Sequence, residues 1–189
     1  TVPADAVPQG FNFFCPTTLR PEPKDLHILY DYMSHRFTGI SISHEPSVWV
    51  GDRATFQFMA ASEPVEHLDE EGRAAFYTHE TELPRPYAYE ISDLATPASS
   101  VDLGVAPTMH GAIFRFAFHS EAIQNMVILD SIRERELGRL TLDTETRDRF
   151  TAVLHDVNNG MQPLYLVGLF DRPWQRVQAG QAMQAGLIF

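Results

Sequence analysis

The residues of this sequence whose types and spacing suit chemistry run from His44 to Arg53: His44-Glu45-Pro46-Ser47-Val48-Trp49-Val50-Gly51-Asp52-Arg53. Pro46, Gly51 and Asp52 flank Trp49, which places it in a turn and not in an alternating strand. An indole in such a loop offers a sugar one apolar face and one N–H donor. The structural alternative is that it staples the loop onto the core. Asp52 either accepts hydrogen bonds from sugar hydroxyls or closes the turn as an Asx residue. His44 and Glu45 shape the same loop, and Arg53 pairs with a nearby carboxylate. Trp49, Asp52, His44, Glu45 and Arg53 are the candidate substrate-binding set.

Other chemistries find no foothold. The sequence holds 8 His, but neither His44-Glu45 nor His79-Glu80 is followed by a second His at helical spacing. Both read as surface pairs or turn elements and not as zinc-protease motifs. Cys15 is the single cysteine, which rules out thiolate zinc sites and an intrachain disulfide. There is no Gly-rich phosphate loop and no Gly-x-Ser-x-Gly elbow. Carboxylates are plentiful, but sequence does not pair two of them across a sugar-sized gap. No catalytic and no metal-ligating residue is assigned.

The elements that must position the His44–Arg53 loop are strands. Ile40 and Ile42 alternate with serines before it, and Phe56, Phe58 and Ala60 line one side of the run after it. Period-2 patterning recurs at Tyr87, Tyr89 and Ile91, at Val101, Leu103 and Val105, and in Phe114-Arg115-Phe116-Ala117-Phe118. It continues through Val127 and Leu129, Leu140 and Leu142, Ala152 and Leu154, and Tyr165, Val167 and Leu169. Turn signals at Glu45-Pro46-Ser47, Pro84-Arg85-Pro86, Ala106-Pro107-Thr108 and Asn158-Asn159-Gly160 separate the runs. Some nine or ten short strands so spaced predict an all-β antiparallel β-sandwich over 1–174. A short helix is expected over Asp25–Arg36, where Leu26, Leu29, Tyr30 and Met33 fall at helical spacing. Residues 175–189, rich in Gln, Ala and Gly, read as a linker or packing tail leading out of the domain.

Composition bounds the partners. With 189 residues and 44% hydrophobic content the chain supports one domain with a sizeable core. A formal net charge of −11 argues against nucleic acid and anionic lipid, which select basic surfaces. Charges mix in sign at Arg133-Glu134-Arg135-Glu136 and Thr146-Arg147-Asp148-Arg149, as on solvated faces. No apolar run is long enough to span a bilayer. The start at Thr1, without Met or signal features, leads us to expect a processed or excised piece.

The run Gly10-Phe11-Asn12-Phe13-Phe14-Cys15-Pro16-Thr17-Thr18 resembles the Gly-Phe-Asn-Phe-aromatic-x-Pro-x-Thr element of glycoside hydrolase family 92. Ser43 to Asp52, followed by Phe56-Gln57-Phe58, is similar to that family's Ser-His-Glu/Gln-Pro-Ser-x-Trp-x-Gly-Asp pattern and its Phe-Gln strand. Weaker likeness continues through Phe76–Glu80, Arg85–Tyr89 and Ala106–Phe116. The chain departs from the family at Arg20–Asp25, where a longer Asn-rich insertion is usual, and at Phe14, where Trp is also common.

The resemblance implies an N-terminal β-sandwich packed on a larger (α/α)6 catalytic domain, with a mannose-containing glycan as substrate. It implies a calcium-dependent, exo-acting, inverting α-mannosidase, secreted or periplasmic, whose acid and base carboxylates sit in the helical domain. Ca2+ is then expected in the parent enzyme, bound mainly outside this chain. A stand-alone carbohydrate-binding or assembly module is the alternative, since an aromatic loop on a sandwich serves that role too.

Overall fold

The computed structural model describes residues 6, 10, 12–19, 29–43, 56–95, 100–119, 124–131, 138–154, 163–181 and 183–189. Among them the strands are β1 (Phe13–Thr18), β2 (Arg36–Ser43), β3 (Phe56–Ala61), β4 (Ala75–Phe76), β5 (Glu82–Arg85), β6 (Ala88–Ala95) and β7 (Ser100–Pro107). They continue with β8 (Ala112–Phe118), β9 (Met126–Ser131), β10 (Arg139–Leu142), β11 (Arg149–Leu154), β12 (Leu164–Leu169), β13 (Arg176–Ala179) and β14 (Ala185–Ile188). The helical content among the described residues is one 3₁₀ turn, His79–Thr81.

All described pairings are antiparallel. The larger sheet runs β13-β14-β9-β3-β2-β4-β6-β7-β8, with β1 joined to β2 and β5 to β6, while β10-β11-β12 form a second sheet. Strands β3 and β8 stand far apart along that order, yet the rings of Phe58 and Phe114 meet at 4.5 Å, and Phe14 reaches Phe114 at 5.8 Å. The large sheet must therefore curl back over itself. Phe150 of β11 stacks on Phe56 at 5.9 Å and binds the small sheet to the same core. The expected β-sandwich is what the chain forms.

Period-2 patterning translates into burial where one strand face meets the core. Tyr89 and Ile91 of β6, Val101, Leu103 and Val105 of β7, and Phe150, Ala152 and Leu154 of β11 are all buried. Tyr87 is exposed, and a register shift between Ile91 and Leu94 changes the phase so that Leu94 is the next buried residue. Strands β3 and β9 depart from the alternation, being buried along their whole length. Their outer face is covered by the connection from Ser62 to Ala74. From that connection Arg73 donates to Thr38 O of β2 (3.0 Å), to Asp130 Oδ2 of β9 (2.5 Å) and to Gln57 of β3. A polar lattice continues beneath, where Gln57 Nε2 and Thr38 Oγ1 donate to Thr17 Oγ1 (2.8 and 3.0 Å), which donates to Gly39 O (2.9 Å). Buried polar side chains are tolerable here because they satisfy one another.

Gly39 makes this lattice possible. The β1–β2 register slips between Thr17 and Thr18, and Gly39 takes φ +146, with Phe58 O only 2.7 Å from where a Cβ would stand.

Two sequence expectations are corrected. Of the helix expected over Asp25–Arg36, residues 25–28 lie outside the described residues, Leu29 to His35 is a turn and not helical, and Arg36 already opens β2. Leu29 and Tyr30 are buried while Met33 is 80% exposed, so the helical spacing does not define one face. Tyr30 is held instead by its hydroxyl, as described below. The turn expected at Pro84-Arg85-Pro86 falls at Pro86-Tyr87, and Pro84 sits in β5, which pairs on one side with β6. Of the linker or packing tail expected over 175–189, the described residues show packing: β13 and β14 extend the main sheet, and β14 lies buried between β9 and β13. Small Ala185 and Gly186 let that strand close on Met126 and Leu68.

A further close approach occurs at Gly168, where an added Cβ would stand 1.9 Å from the Phe150 ring. Gly168 faces Phe150 directly across β11 and β12. Gly168→Ala is expected to destabilise the chain by about 1–3 kcal/mol through overpacking. Urea unfolding reads this directly, and an unchanged midpoint would show that the ring yields freely.

Candidate functional site

His44, Glu45, Trp49, Asp52 and Arg53 lie outside the described residues. The strands that carry their loop are described. β2 delivers the chain at Ser43 and β3 receives it at Phe56. Ser43 pairs with Phe13 and Ile42 with Phe14, so the loop springs from the end of the sheet where β1 begins.

At that end opens a cleft of about 670 Å³. Its floor is aromatic and aliphatic: Phe14, Ile42, Phe58 and Phe150. One wall is β8, an edge strand of the large sheet, and the other is β12, an edge strand of the small sheet. The three-Phe face read from Phe114, Phe116 and Phe118 is only half buried because it borders this opening. On the opposite wall Tyr165, Val167 and Leu169 alternate as expected, yet their side chains are exposed. Asn12, Asn125, Arg115 and Arg172 supply polar groups around the apolar surface. Apolar walls with a few donors suit a ligand that has both C–H faces and hydroxyls. Among the described lining residues Asp171 is the one carboxylate, 3.5 Å from Arg172 Nε. The cleft was not legible as a site in the sequence, because strands far apart along the chain build it.

A second cluster of ionisable groups surrounds His79. Its Nδ1 lies 2.5 Å from Glu82 Oε2 and its Nε2 lies 2.7 Å from Tyr32 O. Tyr30 donates to both Glu82 oxygens (3.1 and 2.8 Å), and the Tyr89 hydroxyl donates to Oε1 at 2.6 Å. Tyr32 stacks flat on the imidazole at 3.9 Å. Burial works against charge on His79, but the Glu82 hydrogen bond, the Tyr32 carbonyl and the Glu82 charge outweigh it and raise its pKa above 6.5. Burial, followed by the Glu82 hydrogen bond, holds the Tyr89 hydroxyl far above the ordinary tyrosine range, and burial lifts Tyr77 to about 12. Tyr30 and Tyr89 act as hydrogen-bond donors and not as bases. The His79-Glu80 pair is thus a turn element, as read from sequence. The partner that matters is Glu82, three residues on, and that spacing was the available signal.

Among the described residues no three His, Cys, Asp or Glu come together in a metal-holding group. Glu82 is already engaged by two hydroxyls and an imidazole, and Asp130 by Arg73. A calcium ion needs six to eight oxygens, and the described carboxylates do not fit that need. No described helix is long and apolar enough to cross a membrane.

Comparison with known proteins decides the family. The pattern of the Glycosyl hydrolase family 92 N-terminal domain matches residues 1–185. This chain belongs to that family. The family 92 N-terminal domain described here also superimposes on solved structures. One is a GH92 inverting mannosidase from Bacteroides thetaiotaomicron, with TM-score 0.80 and 23% identity over 100% of this chain and 26% of that one. Another is the GH92 family glycosyl hydrolase ccman5, with TM-score 0.75 and 15% identity over 100% of this chain and 28% of that one. At such identities these likenesses establish the fold. The family 92 domain thus spans about a quarter of each matched chain. No curated protein matches the sequence.

Proposed function

We propose that this family 92 N-terminal domain is the sandwich portion of a secreted, calcium-dependent, inverting α-mannosidase, where it supports a catalytic domain and forms part of the rim of the sugar pocket. The observation that carries the reading is the match over 1–185, joined to the whole-chain superposition on a GH92 inverting mannosidase of about four times the length. The position of the loop supports it further. Residues 44–55 connect β2 and β3 at the end where Asn12, Phe14 and Ile42 border the cleft. A tryptophan and an aspartate projected from there would stand at the margin of an apolar opening. Trp49 would stack on a mannose face, and Asp52, His44, Glu45 and Arg53 would hold its hydroxyls or the loop itself. Calcium and the acid and base carboxylates would be supplied by the catalytic domain, outside this chain.

The test uses the longer enzyme that carries this domain. Trp49→Ala is expected to lose roughly 1–3 kcal/mol of transition-state binding, about one to two powers of ten in kcat/KM. Trp49→Phe keeps an apolar face and loses only the N–H donor, so it should recover much of the loss. If the indole only staples the loop, the melting temperature falls while kcat/KM of the folded protein stays normal. Normal kinetics in a destabilised Trp49→Ala enzyme would sink the pocket role.

A further inference from the structure

We propose that His79 is a proton-operated clamp that, as an imidazolium, holds the Leu29–His35 turn against β5 and β6 and releases it on losing its proton. The inference starts from what each ring nitrogen faces. Nδ1 is 2.5 Å from the Glu82 carboxylate and Nε2 is 2.7 Å from the Tyr32 carbonyl. A carbonyl oxygen only accepts, and an ionised carboxylate only accepts. Both ring nitrogens must therefore carry a hydrogen for both contacts to hold. A neutral ring has one N–H and must surrender one of the two.

The two contacts tie different elements together. Glu82 opens β5, whereas Tyr32 lies at the tip of the turn that follows Leu29. That turn is otherwise anchored on its other side: Thr18 N donates to Leu29 O (3.1 Å), Thr18 Oγ1 accepts from Asp31 N (2.8 Å) and Ser34 Oγ donates to Leu19 O (2.7 Å). His79 and Tyr30, both on Glu82, supply the tie to β5 and, through the Tyr89 hydroxyl, to β6. The groups facing His79 come from each element packed against it. The turn supplies Tyr30, Tyr32 and His35, the last with its ring 5.6 Å away. Tyr77 stands edge-on at 5.4 Å from the stretch before the 3₁₀ turn, and β5 supplies Glu82. Burial holds the Tyr30 and Tyr77 hydroxyls above the ordinary tyrosine range, so Glu82 is the charge that sets the clamp.

The sign follows from the raised pKa. His79 gains its partners on folding, so the clamp is complete below the unfolded value of 6.5 and is lost as pH rises through the higher folded value. Closure in mildly acid surroundings and loosening in alkaline ones is the resulting behaviour. The tie is local, between one turn and one hairpin, so the rest of the sandwich stays folded throughout.

The experiment is a histidine-selective NMR titration of this chain, read against the ordinary histidine value of 6.5. The expected result is a His79 midpoint above 6.5, brought down to it or below in Glu82→Gln. His35→Asn should leave the His79 transition in place. Backbone amide exchange is followed in parallel at Ser34 and Tyr77, which donate to Asp31 O and His35 O. Exchange there should quicken across the His79 midpoint by more than base catalysis accounts for, while amides of β9 stay protected. A His79 midpoint at or below 6.5 overturns the clamp, and so does exchange at Ser34 and Tyr77 that ignores the midpoint. Disappearance of the transition in His35→Asn assigns it to His35 and overturns it equally.

Discussion

Asp130→Ala is expected to destabilise this domain by about 3–5 kcal/mol, out of a total that for a domain of this kind is about 5–15 kcal/mol. Asp130 and Arg73 pair with both side chains wholly shielded from solvent. Truncating the carboxylate leaves the guanidinium buried with its charge uncompensated, and Gln57, Thr38 and Leu68 offer only neutral oxygens. A buried charge without a counter-charge is among the most destabilising single changes in proteins. In urea the midpoint should fall by about 1–3 M with little change in slope. Asp130→Asn, which preserves shape and an acceptor, should fall in between. The joint change Arg73→Met with Asp130→Leu removes both charges and should be milder than either charge-stranding single change. An Asp130→Ala midpoint equal to that of the parent chain would falsify this account of what fastens the Ser62–Ala74 connection to the sheet.

How far the sequence reveals this molecule depends on the distance over which a feature is decided. Alternation in β6, β7, β8 and β11 is decided within a strand, because one face meets the core and the other does not. Those strands could be read directly. β3 and β9 are also legible as alternating runs, at Phe56, Phe58 and Ala60 and at Val127 and Leu129, but the burial of their second face beneath the Ser62–Ala74 connection is not. The expected helix near Tyr30 failed for a related reason. Leu29, Tyr30 and Met33 have helical spacing, but the Tyr30 hydroxyl is recruited by Glu82, fifty-two residues away, and no local pattern encodes that. β14 hides in a stretch of Ala, Gln and Gly because the close approach of Met126 and Leu68 demands small residues there. The candidate site divides in the same manner. The Ser43–Asp52 motif is contiguous, and it marks the family. The cleft is made by β8 and β12 and has no contiguous signature, while in the Glu82 cluster only the His79–Glu82 spacing is local and the turn and β6 that complete it are distant.

The largest effect belongs to the activity of the chain taken by itself. This 189-residue domain is expected to show no turnover of an aryl α-mannoside, whereas the longer polypeptide carrying it should hydrolyse the substrate with inversion at the anomeric carbon. Inverting hydrolysis needs one carboxylic acid and one carboxylate about 6.5–9.5 Å apart, with room between them for a water. The described carboxylates that are well buried do not meet that need. Glu82 is saturated by two tyrosines and a histidine, and Asp130 is locked to Arg73. Each missing general acid or base removes about 10²–10⁴ in rate, so a chain that lacks both would show nothing measurable. In the longer protein, chelation should abolish turnover and calcium restore it, while the urea midpoint of the sandwich stays put if the ion is bound outside this domain. NMR of the first-formed anomer reads inversion directly. Turnover by the isolated chain, lost when one of its own carboxylates is replaced, would move the catalytic centre into the sandwich and overturn the division of labour proposed for it.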